Sequence, residues 1–156
     1  MKIFTFLIIL LTAGPAVAYS QQVFDLGLDP VAVRVDTGVF LTVSEQVLVQ
    51  SVQNRVPNMG AVQSVSRKRL GQEQFLVFEA LHATRGGSGM VVGIRLLPDA
   101  QGRYFAEKRA ITCEDPNCNG CTLVSSNLCG GCSNSGDCAP PAVSTIQYNK
   151  VPLENR

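Results

Sequence analysis

The chain has 156 residues, six of them cysteine, with 46% apolar side chains and 13 basic against 12 acidic groups. One basic residue, Lys2, lies in a removable leader, so the mature chain carries no net charge. This excludes nucleic acid and an anionic membrane surface as main partners, because an excess of Lys and Arg holds both. The length predicts one domain that buries about two-thirds of its surface, so cysteines are not needed to replace a core.

Residues 1–18 read as a secretory signal peptide. Lys2 supplies a positive charge, 3–11 is an apolar run broken only by Thr5, Gly14 and Pro15 end any helix, and Ala16-Val17-Ala18 forms an A-x-A cleavage site before Tyr19. The apolar run is shorter than the roughly 20 residues a membrane span needs, and no later segment reaches that length. No membrane insertion is therefore expected after cleavage; a retained anchor is the alternative. No cysteine stands at the cleavage point to take a lipid, and no twin-arginine pair precedes the apolar run. The expected location is secreted or periplasmic.

Residues 19–112 predict an antiparallel β-rich domain with one short helix. Apolar residues alternate over 31–35 and over 39–43, with Asp36-Thr37-Gly38 between them, which predicts a hairpin or a bent strand. Ser44 then offers an N-cap and Glu45 an acidic first turn. Leu48, Val49, Val52 and Val56 follow at helical spacing, and Pro57 stops the pattern, so a helix is predicted over 44–55. Residues 61–66 predict a strand ending at Arg67-Lys68-Arg69, a charge run read as a solvated loop, or else as a processing site. Three more strands are predicted over 75–83, 90–97 and 103–112. The loop 85–89 and the turn 98–102 between them are short enough to require antiparallel neighbours, giving a meander.

All six cysteines, Cys113, Cys118, Cys121, Cys129, Cys132 and Cys138, fall within 113–138. Gly, Asn, Ser, Asp and Pro dominate there, and only Thr122-Leu123-Val124 keeps a β-like pattern. Such a segment cannot bury enough apolar surface to offset its own ordering entropy and needs cross-links. An even cysteine count in an oxidising compartment predicts three disulfides and a stapled lobe packed on the same domain, with the pairing left open. A zinc site is the alternative: the two C-x2-C knuckles offer Cys118, Cys121, Cys129 and Cys132 as a tetrahedral thiolate set, leaving Cys113 and Cys138 over. Cys113, Cys118 and Cys121 also reproduce half of a plant-type iron–sulfur spacing, but an unfolded export route delivers no cluster. A redox pair usually sits at a helix N-terminus, and no helical pattern begins after either knuckle. No cofactor is expected. Beyond Pro140-Pro141, residues 143–148 predict a last short strand and 151–156 a loose tail.

Asp36-Thr37-Gly38 resembles the catalytic triplet of aspartic proteases, and Val91-Val92-Gly93 resembles the apolar-apolar-Gly element beneath it in single-domain, retroviral-type members. The resemblance covers these two motifs. It implies a homodimer in which each subunit contributes one Asp, here Asp36, and the two carboxylates share a proton. Val39 departs from the Ala or Ser of that family, and the turn 98–102 stands where the family has a helix. D-T-G is also an ordinary turn sequence.

His82, the single histidine, falls in a strand expected to be buried, and no nucleophile with an orienting carboxylate can be placed beside it. Ser88 lacks the final Gly of a nucleophile elbow. The order of one helix before a meander is similar to that of cystatin-like domains, without their Gln-x-Val-x-Gly motif, and element order gives no function.

The expected function is therefore an exported, non-enzymatic interaction or structural protein stabilised by disulfides. Its partner would be an unknown protein or surface ligand, met through the loop 85–89 or the lobe 113–138. The zinc site and the Asp36 protease are the alternatives, and the oligomeric state is open.

Overall fold

The computed structural model describes residues 22–36, 38–85, 88–114, 121–131 and 140–153. The leader, Thr37, Gly86, Gly87, Cys118, Cys132 and Cys138 lie outside the described residues.

Within them the fold is mainly β, with antiparallel sheets and one helix, as the periodicity predicts. In chain order the elements are β1 (Val23–Asp25), β2 (Ala32–Val35), β3 (Gly38–Leu41), α1 (Glu45–Val52), β4 (Met59–Leu70) and β5 (Glu73–His82). They continue as β6 (Gly89–Pro98), β7 (Arg103–Glu114), β8 (Thr122–Ser125), β9 (Leu128–Gly130), β10 (Ala142–Thr145) and β11 (Lys150–Pro152). The principal sheet runs β3-β2-β7-β6-β5-β4. β7 is long enough to hold two partners on one side: β2 pairs at Arg103 and Tyr104, and β10 pairs further along, from Arg109 to Thr112. β5, β6 and β7 form the predicted meander, and β2 and β3 form the predicted hairpin, closing at Val35 opposite Gly38.

The helix begins where Ser44 places it. Its hydroxyl accepts the Val47 N–H at 3.4 Å, and Leu48, Ser51 and Val52 form the buried stripe. Ser44→Ala removes that acceptor and is expected to cost about 1 kcal/mol, read as a lower midpoint in chemical denaturation with an unchanged slope. The helix ends earlier than the pattern predicts, with Gln53 as its C-cap. Asn54 takes the left-handed conformation (φ 60°) and breaks the helix ahead of Pro57.

Two other expectations are corrected. Arg67-Lys68-Arg69 is not a loop: β4 runs through it to Leu70, with these three residues opposite Leu76, Phe75 and Gln74. Long aliphatic stems let such side chains lie along an edge strand with their charges in water, and a charged edge resists unwanted pairing. The turn falls instead at Gly71, whose φ of 62° favours glycine. The segment 151–156 is not wholly a loose tail either. Lys150–Pro152 pairs with Val23–Asp25 near the start of the described chain, burying Val151. Strands of three residues carry too little periodicity to be seen alone. The last predicted strand is also shorter than expected, ending at Thr145, after which Ile146 packs into the core from irregular backbone.

The two-residue alternation of the meander gives the sheet two buried faces. Leu76, Phe78, Val92, Ile94, Leu96 and Tyr104 turn towards α1, where Leu48 and Val52 meet them together with Phe24, Leu26 and Val31. Phe75, Val77, Val91, Ile111 and Cys113 turn the other way, towards Cys121, Leu123 and Cys129. The helix covers one face, and the small β8–β9 hairpin from the cysteine-rich segment covers part of the other.

Candidate functional site

The β8–β9 hairpin is held against the sheet by a disulfide from Cys113, near the end of β7, to Cys129 in β9, with Cα atoms 5.6 Å apart. Opposite the bridge, Leu123 settles over Gly93. A Cβ at position 93 would lie 2.2 Å from Leu123 Cδ2, so any side chain there would force the end of that leucine to move. Cys121 is buried in the same cluster. The pairing of Cys118, Cys132 and Cys138 lies outside the described residues. With its sulfur bonded to Cys113, Cys129 is unavailable here to the four-thiolate zinc set. Among the described residues no three metal-ligating side chains of the His, Cys, Asp or Glu type gather.

The two protease-like motifs are placed apart in kind. Asp36 is exposed at the β2–β3 turn. Gly93 sits mid-strand between Val77 and Ile111 and is covered by Leu123. β6 continues through Gly93 to Pro98 and turns into β7, so a strand stands where the family has a helix.

His82 is buried, as its strand predicts. Its Nδ1 accepts the Thr84 N–H at 3.2 Å, which leaves the ring proton on Nε2, 3.0 Å from Glu114 Oε2. That last pair is close without the alignment of a hydrogen bond. The Thr84 hydroxyl also lies 3.3 Å from Nδ1, so a hydroxyl, an imidazole and a carboxylate do meet, a grouping the sequence does not reveal. The backbone N–H already occupies the Nδ1 lone pair that would have to take the hydroxyl proton, so the arrangement fits a structural tie between the ends of β5 and β7. In the 85–89 loop, Ser88 donates its hydroxyl to the Arg85 carbonyl at 3.0 Å and is spent within its own turn.

A concave feature lies elsewhere. A groove of about 760 Å³ opens at the end of the sheet bounded by the β2–β3 hairpin, the β4–β5 turn and the end of β6. Arg34, Arg67, Arg69 and Arg95 line it, with Asp36 and Glu73 as its carboxylates. Val35 and Leu97 add an apolar wall and are 47% and 43% exposed.

The four arginines fall into two kinds. Arg95 is neutralised: it donates to Glu73 at 2.7 Å and to Glu107 at 2.9 Å. Those hydrogen bonds, Glu73 first, push its pKa further above the usual guanidinium value. The other three are oriented by neutral acceptors. Arg34 donates to the Tyr104 hydroxyl and stacks over that ring, 5.7 Å from its centroid. Arg67 donates to Gln74 Oε1 at 2.6 Å. Arg69 donates to the Gly71 carbonyl and to Gln72 Oε1, both at 3.1 Å. Among the described residues none of these three is in an ion pair with a carboxylate. Their guanidinium groups are held in place by neutral partners, with Asp36 as the one groove carboxylate also outside these ion pairs.

No family model, curated protein or solved structure matches this chain. The groove therefore has to be interpreted from its own chemistry. Sequence reasoning missed it for two reasons: a net charge of zero hides a local excess, and 67–69 read as a loop has no fixed face. Read as strand, Arg67 and Arg69 stand two residues apart and share a face with Val65 and the helix-side core. Among the described residues no helix is long and apolar enough to cross a membrane.

Proposed function

We propose that this is an exported, non-enzymatic binding protein whose recognition surface is the arginine-lined groove. The observation that carries this reading is the groove itself: charged and apolar side chains converge on one concavity at the end of a sheet packed on both faces, the arrangement expected of a binding site. The Cys113–Cys129 bridge supports export, since such bonds persist in oxidising compartments and are rare in the cytosol. It also fixes the β8–β9 hairpin to the far face of the sheet, away from the groove. The reading thus shifts the recognition surface away from the loop 85–89 and the lobe.

The test is titration of the labelled mature protein onto the surface of the cells that export it. Leu97→Glu, in the groove, is compared with Leu128→Glu, on the exposed edge of the bridged hairpin. Saturable binding is expected, weakened about tenfold or more by Leu97→Glu and unaffected by Leu128→Glu. Binding that survives Leu97→Glu, or is lost only with Leu128→Glu, would remove the groove from the account.

A further inference from the structure

We infer that the groove receives an extended acidic peptide segment of a partner protein, with carboxylates at alternate positions. The inference rests on the groove being the recognition surface and adds the chemistry of what enters it.

Three observations carry it. Charge comes first. Arg34, Arg67 and Arg69 are each positioned by a hydroxyl, an amide oxygen or a carbonyl. A neutral acceptor fixes a guanidinium without consuming its charge, and a fixed, unpaired guanidinium is prepared for a carboxylate, which it grips through two parallel N–H···O bonds. Arg95 shows the contrast within the same groove, since Glu73 and Glu107 already saturate it.

Spacing comes second. Arg67 and Arg69 are two residues apart on one strand, which sets their Cα atoms about 7 Å apart on the same face. An extended peptide repeats its side chains on one face at that same interval. Glutamates or aspartates at positions i and i+2 of a ligand strand therefore meet Arg67 and Arg69 in register, while Arg34, across the groove on β2, is available to a third acidic group or a terminal carboxylate.

The apolar wall comes third. Val35 and Leu97 line the groove half-exposed beside the arginines. Aliphatic side chains of a peptide can cover them, whereas a sulfated sugar or a phosphate backbone offers no comparable apolar group. The neutral overall charge of the mature chain also disfavours long polyanions, which need an extended basic surface.

The probe is a synthetic peptide with glutamates at alternate positions separated by valines, titrated by fluorescence anisotropy against the full mature protein. Companion ligands are the all-glutamine analogue, a peptide with the same glutamates made contiguous, heparin and a single-stranded oligonucleotide. The alternating peptide is expected to bind most tightly. Arg67→Gln and Arg69→Gln should each weaken it about tenfold or more, and Lys150→Gln, on β11 away from the groove, should leave it unchanged. Because the glutamine analogue alters only the ligand, its loss of binding supports the inference even if a protein variant folds poorly. Equal binding of the glutamine analogue, or no binding of the alternating peptide, overturns it. Tighter binding of heparin or the oligonucleotide, lost in the same arginine variants, overturns the peptide assignment while leaving the groove in place. Loss of the groove itself is seen separately, in the Leu97→Glu comparison on cells.

Discussion

Replacing Cys113 and Cys129 together by serine is expected to lower the unfolding free energy by about 3 kcal/mol. The bridge joins residues 16 apart in sequence, and closing a loop of that size removes about this much free energy from the unfolded ensemble. The native-state consequence is local. The β8–β9 hairpin contributes Leu123, Cys121 and Cys129 to the far-face cluster and little other apolar surface. An isolated two-stranded hairpin is marginal in water. Without the covalent tie it is expected to leave the sheet and uncover Phe75, Val77, Val91 and Ile111. Chemical denaturation of the double variant should show the lowered midpoint, and a hydrophobic dye should bind it before the main transition. A loss below about 1 kcal/mol with no dye binding would mean that the hairpin stays docked unaided, contrary to the general weakness of such hairpins.

Gly93→Ala is expected to cost about 1–3 kcal/mol by overpacking. Mid-strand glycine ordinarily weakens a strand, so alanine at an open position would be neutral or better. Here the added Cβ meets Leu123 Cδ2 at 2.2 Å. Leu123 is 5% exposed and belongs to the far-face cluster, so its end must shift among close-packed neighbours to admit the methyl group. Leu123→Ala alone is expected to cost about 2–5 kcal/mol through the cavity it opens. The double change Gly93→Ala with Leu123→Ala should cost less than the two single changes added together, because the new methyl group enters the space that the leucine vacates. Denaturation of the four proteins in one cycle reads this directly. Simple additivity would show that the hairpin does not rest on Gly93.

How much of this was legible in the sequence depends on range. Local patterns were enough for the β2–β3 hairpin, the Ser44 cap and the β5–β6–β7 meander, because each rests on residues close in the chain. The dense apolar run of β5 signals a buried strand, but not that the sheet is covered on two faces or what covers the second one. Gly93 gives no sign that Leu123 lies over it, since a glycine's packing role is set by a residue of another element. The β1–β11 pair joins near-terminal segments too short for periodicity. The 67–69 triplet misleads because a run of charge reads as a break in structure, although edge strands carry charge routinely. The groove inherits that error: its arginines come from β2, β4 and β6, segments distant in the chain that meet only in the folded molecule. Glu114 beside His82 is another meeting made by strand register alone.

Peptide mapping of the protein recovered from outside the cytosol, digested without reduction and with thiols alkylated beforehand, is the most direct single test of an exported and bridged protein. The account predicts a mature N-terminus at Tyr19 and a cross-linked fragment joining Cys113 to Cys129. Recovery of alkylated Cys113 or Cys129, or of a chain found only inside the cytosol with its leader intact, would contradict it.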